Sequence, residues 1–183
     1  MNSYPLSTIQ TDRLILRKIT MNDAHQMFYN WANDPKVTKY LRWQPHQDIE
    51  ETRNIISIWI NKQSQPFFYN WVIVCKENNE AIGTIDLFNV NLIEKSCELG
   101  YCLSKKYWNQ GIMSEACSAV LDFAFHKVNC TTVLACHHID NIASGKVMEK
   151  NKMKYYKTTS EFDKLRNTNI LLKYYKINKE EFI

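Results

Sequence analysis

Residues 97–125, which read CELGYCLSKKYWNQGIMSEACSAVLDFAF, decide the fold of this chain. The stretch begins as an apolar, strand-like segment, passes through a polar loop, and from Ile112 repeats its apolar residues at helical spacing. Gly111, one of only four glycines in the chain, stands at the mouth of that helix. A helix N-terminus favours an anion, and a glycine lets a phosphate approach the backbone closely. By itself such a glycine is more often a simple turn.

The segments on either side predict a mixed domain. A first strand over residues 12–20 precedes a helix that opens at TMND (20–23), and an amphipathic helix follows over 48–63. β-branched runs joined by tight polar turns then predict an antiparallel meander. After the helix at Ile112 the chain continues as a strand, a capped helix and two strands that pair as a hairpin. We therefore expect one α+β domain over residues 1–183.

Composition narrows the class of protein. Of 183 residues, 45% are hydrophobic and 23% are charged, as in ordinary globular proteins. No apolar run reaches the roughly 18 residues of a membrane-spanning helix, and the N-terminus lacks a secretory signal pattern. The net charge of +4 is scattered without an arginine cluster, which disfavours a nucleic-acid partner. Six cysteines without a CxxC pair predict buried free thiols and a cytoplasmic location.

The stretch over residues 97–125 resembles the central segment of the GNAT superfamily of N-acetyltransferases. The closest resemblance is to the RimJ/RimL-like branch, which acetylates ribosomal-protein N-termini and assorted small amines. Other segments follow the family in the same order: TDRLILR (11–17), WANDPKVTKYL (31–41), IGTIDL (82–87) and DNIASGKVMEKNKM (140–153). The resemblance implies the GNAT fold, a twisted and mostly antiparallel sheet of about seven strands flanked by about four helices.

The same resemblance implies acetyl-CoA as the co-substrate and assigns it residues. The backbone of Tyr101, Cys102 and Leu103 would pair with the pantetheine arm as though it were an extra strand. The turn and the first helical residues would surround the pyrophosphate: Asn109, Gln110, Gly111, Ile112, Met113 and Ser114. Asn141, at the mouth of the later helix, would hydrogen-bond the pantetheine or the adenosine side.

Three positions depart from the family pattern. Asn109 and Lys152 stand where glycine is usual, and Met113 stands where alanine or glycine is usual. Because asparagine tolerates a left-handed backbone better than other non-glycine residues, Asn109 is expected to preserve the turn. Met113 must either point away from the phosphate or narrow the site.

Glu98 is the candidate general base, at a strand position where the family often keeps a carboxylate near the acceptor. Its neighbours in sequence include Cys97, Leu99 and Tyr101, and such apolar surroundings are expected to raise its pKa. The alternatives are an outward-facing glutamate paired with a lysine, or a bound water that acts as the base.

Ser144 is the candidate proton donor to the departing thiolate. It lies three residues after Asn141 at a helix start, so both side chains can address one ligand. The alternative for this pair is simple helix capping. The oxyanion that forms during acyl transfer would accept a backbone N–H within residues 99–103.

The acceptor would be a primary amine, either a protein N-terminus such as that of a ribosomal protein or a small molecule. Four aromatic residues are expected to line its pocket: Trp31, Tyr40, Trp43 and Trp71. The alternative is that these side chains belong to the hydrophobic core. His137 and His138 lack a third ligand at suitable spacing, so no metal is expected.

The enzyme is expected to act as a monomer or homodimer. Two other classes of function are alternatives to an enzyme. A catalytically silent module that only binds CoA or an acyl-CoA would fit the departures at Asn109 and Met113. A nucleic-acid-binding domain has only the positive charge balance and the aromatic content in its favour.

Overall fold

A single eight-stranded sheet forms the centre of the protein, and a computed structural model describes residues 3–182. The strands are β1 (Ile9–Gln10), β2 (Leu14–Arg17), β3 (Tyr69–Cys75), β4 (Glu80–Asn91), β5 (Ser96–Leu103), β6 (Thr132–His138), β7 (Lys154–Asp163) and β8 (Thr168–Asn178). They lie in the order β1-β2-β3-β4-β5-β6-β8-β7. Every neighbouring pair is antiparallel except β5 and β6, which run parallel.

Five α-helices flank the sheet: α1 (Ala24–Met27), α2 (Pro35–Thr38), α3 (Ile49–Lys62), α4 (Ile112–His126) and α5 (Ile142–Lys150). A 3-10 turn (Met21–Asp23) leads into α1 and a π-helical turn (Phe28–Ala32) continues it. Among residues 3–182, no helix has both the length and the apolar character that crossing a membrane requires.

The predicted α+β fold class is confirmed, with one more strand and one more helix than expected. The two-residue β1 is too short for a periodic pattern. The pair Asp34–Pro35 begins the additional helix, α2. The Asp34 side chain accepts the Lys36 N–H at 2.8 Å, and Pro35 occupies the first helical position, where its missing N–H costs nothing.

Alternation along the central strands divides the core between the two faces of the sheet. On the α1–α3 face, Val72 and Val74 of β3 pack with Trp31 and Ile56. On the α4–α5 face a larger cluster joins strand and helix residues, among them Trp71, Ile73, Ile85, Leu99, Ala116, Val120 and Met148. Each side chain of a central strand is thus assigned to a face by its position in the sequence.

The parallel pair β5 and β6 separates after three residues. Ser96, Cys97 and Glu98 pair with Thr132, Val133 and Leu134, and the ladder then ends. From residue 99 to 103, β5 pairs with β4 alone among the strands described for residues 3–182. We call this gap between the two strands the fork. It leaves one backbone edge of β5 without a strand partner.

The six cysteines are free thiols, as predicted. Four are buried, while Cys102 and Cys136 are half-buried. The sulfur atoms of Cys97 and Cys130 lie 3.5 Å apart, close enough for a weak S–H contact.

Candidate active site

A tyrosine and a serine meet beside the fork on the α4–α5 face. The Tyr101 hydroxyl lies 3.0 Å from the Ser144 carbonyl oxygen and 3.0 Å from Ser144 Oγ. Burial raises the pKa of Tyr101 well above its ordinary value, so the hydroxyl keeps its proton. Because that proton can be donated to the carbonyl, Ser144 Oγ can donate in turn to the tyrosine oxygen. The contact connects α5 to the free stretch of β5.

Asn141 is the N-cap of α5, and its side-chain N–H donors remain available to a ligand. Its Oδ1 accepts the Ser144 N–H at 3.4 Å, which is the capping role considered from the sequence. Its side-chain NH2 group has no hydrogen-bond partner within residues 3–182. Capping therefore uses the oxygen and leaves the two N–H donors for a ligand.

The turn before α4 has the backbone conformation predicted from the sequence. Gly111 is left-handed, with φ 75° and ψ 0°, and Asn109 is left-handed with φ 61°. Met113 is 5% exposed and belongs to the core, so its side chain points away from the turn. Lys152 is likewise left-handed, with φ 61°, in the turn after α5. The departures from the family pattern thus leave the helix mouth open.

Arg13, which the sequence reasoning missed, holds this turn. Its Nη1 donates to the Gln110 carbonyl at 2.9 Å, and its Nε pairs with Glu115 at 2.6 Å. Nη2 lies 3.5 Å from where a β-carbon of residue 111 would be. Although burial acts in the opposite direction, hydrogen bonds from Thr11 and Arg13 lower the pKa of Glu115. The ion pair with Glu115 therefore holds a guanidinium beside the N-terminus of α4.

Glu98 lies at the closed end of the fork and is half-buried. The apolar surroundings expected for it are wrong, because Cys97, Leu99 and Tyr101 point to the opposite face and pack in the α4–α5 core. Its Oε1 accepts from Asn89 Nδ2 at 2.9 Å, so its partner is an amide and not a lysine. The Glu98 charge also contributes, after burial, to the raised pKa of Cys136.

Two polar residues that sequence reasoning did not single out lie on the α1–α3 face of the central strands. Asn70 of β3 pairs directly with Asp86 of β4, and Asp86 pairs with Gly100 of β5. We call Asn70, Asp86 and Gly100 the polar row. Asp86 Oδ1 and Phe88 Cε1 each lie 2.9 Å from where a β-carbon of residue 100 would be, so only glycine leaves them room. Burial raises the pKa of Asp86 to about 7.

The four aromatic residues proposed for an acceptor pocket separate into two groups. Trp31 and Trp71 are 0% exposed and lie in the cores of opposite faces, so they do not form a pocket wall. Tyr40 and Trp43 are half-buried. The Tyr40 ring stacks on His138 with centroids 5.0 Å apart, on the side of the sheet that carries the polar row.

The neighbouring histidines point to different faces of β6. His137 is buried against α5, where burial lowers its pKa, and its Nδ1 bonds to the His138 carbonyl oxygen at 2.7 Å. Within residues 3–182, no group of three or more His, Cys, Asp or Glu side chains is arranged to hold a metal ion.

Comparison with known proteins identifies the family. Residues 13–154 match the Acetyltransferase (GNAT) domain model. An uncharacterized N-acetyltransferase of Bacillus licheniformis, p20, is 27% identical over 97% of this chain and 99% of its own length. The ribosomal protein uS5-alanine N-acetyltransferase of Escherichia coli is 24% identical, over 81% of this chain and 79% of its own.

Solved structures agree with the sequence comparison. The crystal structure of a GNAT-family acetyltransferase from Bacillus anthracis superimposes with a TM-score of 0.80. It is 27% identical, and the match covers 95% of this chain and 99% of that one. The domain match, the relatives and the shared fold together show that the chain belongs to the GNAT family and is an acetyl-CoA-dependent N-acetyltransferase.

Proposed function

We propose that the protein transfers the acetyl group of acetyl-CoA to a primary amine by direct attack, through a tetrahedral intermediate. The observation that carries the proposal is the contact of Tyr101 with Ser144 beside the unpaired edge of β5. A strand edge that can pair with an amide-bearing ligand lies next to hydroxyls that can supply a proton. The acceptor is a protein N-terminus, as the name of the Escherichia coli relative suggests, or a small-molecule amine.

In this proposal acetyl-CoA occupies the fork and the mouth of α4. The pantetheine amides pair with the backbone of Tyr101, Cys102 and Leu103, on the edge that lacks a strand partner. The pyrophosphate lies at the N-terminus of α4, against the backbone of residues 109–114 and near Arg13. The free amide of Asn141 approaches the pantetheine from α5.

The leaving group is a thiolate that must be protonated. In this proposal Ser144 supplies that proton, and the support is the hydrogen bond between its hydroxyl and that of Tyr101, in the free stretch of β5. General-acid assistance of this kind typically contributes about 100-fold or more to a rate. The proposal therefore gives Ser144 a catalytic role in addition to its place at the start of α5.

A panel of amines tests the proposed function. The protein is incubated with acetyl-CoA and, separately, with peptides that have free N-termini, N-terminally blocked peptides that contain lysine, and small amines. Thiol release and the mass of the acceptor are both measured. We expect acetylated product with at least one primary amine. Binding of acetyl-CoA without thiol release from any acceptor would instead indicate a silent acyl-CoA-binding module.

Replacing Arg13 by alanine should raise the Kd for acetyl-CoA about tenfold, which corresponds to a loss of about 1.4 kcal/mol in binding free energy. The variant removes a positive charge beside Gly111 and frees the Gln110 carbonyl that Arg13 holds. Titration calorimetry with acetyl-CoA measures the change. Arg53→Ala is the matched control, since both arginine side chains are 48% exposed and both pair with a glutamate. Equal binding by the two variants would contradict the role of Arg13.

A further inference from the structure

We propose that the acceptor binds as an ammonium ion between the Asp86 carboxylate and the Asn70 amide oxygen, and that Asp86 removes its proton. The inference rests on the proposed function and adds to it the acceptor site and the general base. It moves the base from Glu98, at the closed end of the fork, to β4.

The polar row lies where an acceptor must approach. Gly100 belongs to the part of β5 that lines the fork, and Asp86 lies directly across from it on β4. Asp86 Oδ1 occupies the space that a side chain at residue 100 would fill. A carboxylate is therefore held beside the strand edge on which the donor would lie.

Within residues 3–182 the side-chain oxygens of Asn70 and Asp86 lack hydrogen-bond partners. Asn70 is 8% exposed, and its Oδ1 is buried without a hydrogen-bond partner. Within residues 3–182 the Asp86 carboxylate also has no hydrogen-bond or ion-pair partner, although part of the side chain remains open to solvent. Leaving a buried polar group unpaired costs about 1–3 kcal/mol. An ammonium group, with N–H donors only, would satisfy both oxygens at once.

The proton donor for the thiolate and the binding site for the amine would lie on opposite faces of the sheet. Tyr101 and Ser144 meet on the α4–α5 face, whereas the polar row points to the α1–α3 face. The amine would reach the thioester carbon from one side while the sulfur receives its proton from the other. Neither group has to move out of the way of the other.

Asp86 accepts a proton from the ammonium and passes it to solvent, and the freed nitrogen pair forms the C–N bond as the carbonyl electrons move to oxygen. When those electrons return, the C–S bond breaks and sulfur keeps its electron pair. Nitrogen loses a second proton to solvent, while sulfur gains one through the Ser144 hydroxyl, which solvent replaces. One proton is released overall.

Burial prepares Asp86 for this role, since it raises the pKa of the carboxyl to about 7. Of the neighbouring strands, β3 presents only the uncharged Asn70 to Asp86. β5 presents the Cys102 thiol, whose pKa is raised to about 11 mainly by burial, and Glu98 two residues before Gly100. The raised pKa of Asp86 therefore lies near neutral pH, whereas that of Cys102 does not.

The proton transfer distinguishes two classes of amine. An α-amino group has a pKa of about 8 and a lysine side chain about 10.4. Transfer to a carboxylate with a pKa of about 7 is therefore about tenfold uphill for the α-amine and more than about a thousandfold uphill for lysine. An α-amino group, such as the N-terminus of a peptide, is therefore the easier of the two amines for this carboxylate to deprotonate.

Four variants test the inference on the full chain, with acetyl-CoA and the best peptide acceptor. We expect Asp86→Asn to lower kcat/KM for the peptide about 100-fold or more and to remove the inflection near neutral pH from its pH profile. Asn70→Ala should raise the KM for the peptide about tenfold without lowering the melting temperature, because it also removes an unpaired buried group. Both variants should bind acetyl-CoA like the wild type.

Asp122→Asn, an exposed position on α4, is the matched control and should not differ from the wild type. Glu98→Gln compares the two carboxylates directly, and a larger loss there than in Asp86→Asn would overturn the inference. Wild-type kinetics in Asp86→Asn would also overturn it while leaving the proposed function intact. Failure of the wild type with every amine would reject both.

Discussion

The Ser144→Ala variant should turn over roughly a hundredfold more slowly than the wild type while it binds acetyl-CoA with an unchanged Kd. In the proposed mechanism the Ser144 hydroxyl protonates the departing thiolate, and the Tyr101 hydroxyl lies 3.0 Å from it. The helix start should survive the substitution, because the hydrogen bond to Asn141 uses the backbone N–H of residue 144. The substitution should therefore lower kcat and leave the affinity for acetyl-CoA unchanged.

Single-turnover kinetics and calorimetric titration with acetyl-CoA measure these two quantities separately. Ser118→Ala is a suitable control, since Ser118 is an exposed serine on α4. Tyr101→Phe should give an intermediate loss, because it leaves the Ser144 hydroxyl in place and removes only its partner. If Ser144→Ala weakens binding as much as it slows turnover, the serine holds the ligand and does not protonate the thiolate.

Asp86→Asn should stabilise the folded protein, and more at pH 8 than at pH 5. In the folded state the carboxyl has a pKa of about 7, against 3.8 for an ordinary aspartate, so between these values the folded state retains a proton that the unfolded state has released. Stability therefore falls as the pH rises from about 4 to about 7. A difference of about 3 pKa units corresponds to at most about 4 kcal/mol.

Thermal unfolding of both proteins across this pH range tests the expectation. Asparagine cannot ionise, so the variant should lose the part of the pH dependence that Asp86 contributes. Asp122→Asn serves again as the control, because that carboxylate is exposed and paired with His126. An equal change in melting temperature at pH 5 and pH 8 would show that Asp86 ionises as freely in the folded state as in the unfolded chain.

Local patterns in the sequence predicted the elements that local physics determines. The strand, loop and helix around Gly111 form as expected, and Asn109 adopts the left-handed backbone that its side chain tolerates. The amphipathic helix predicted over residues 48–63 is likewise present as α3, and the Asp48 side chain at its start accepts the Glu51 N–H. Each of these features depends on residues within a few positions of one another.

What the sequence did not reveal depends on strand register. Asn70 and Asp86 are polar residues in otherwise apolar strands, a signal that was visible, but their pairing becomes known only when β3 and β4 are aligned. Arg13 meets Gln110 across 97 positions of the chain, which no local pattern reports. Glu98 was misjudged because its sequence neighbours lie on the other side of the sheet.

The fork also limits which ligands can bind in the gap between β5 and β6. An unpaired strand edge normally invites another polypeptide and promotes aggregation. Here the edge of β5 begins where β6 leaves it, so it lies in the interior of the sheet, between strands that continue on both sides. A polypeptide strand carries side chains on both faces and would meet the two cores. A slender chain with amide groups and few branches, such as the pantetheine arm in the proposed function, would avoid these clashes.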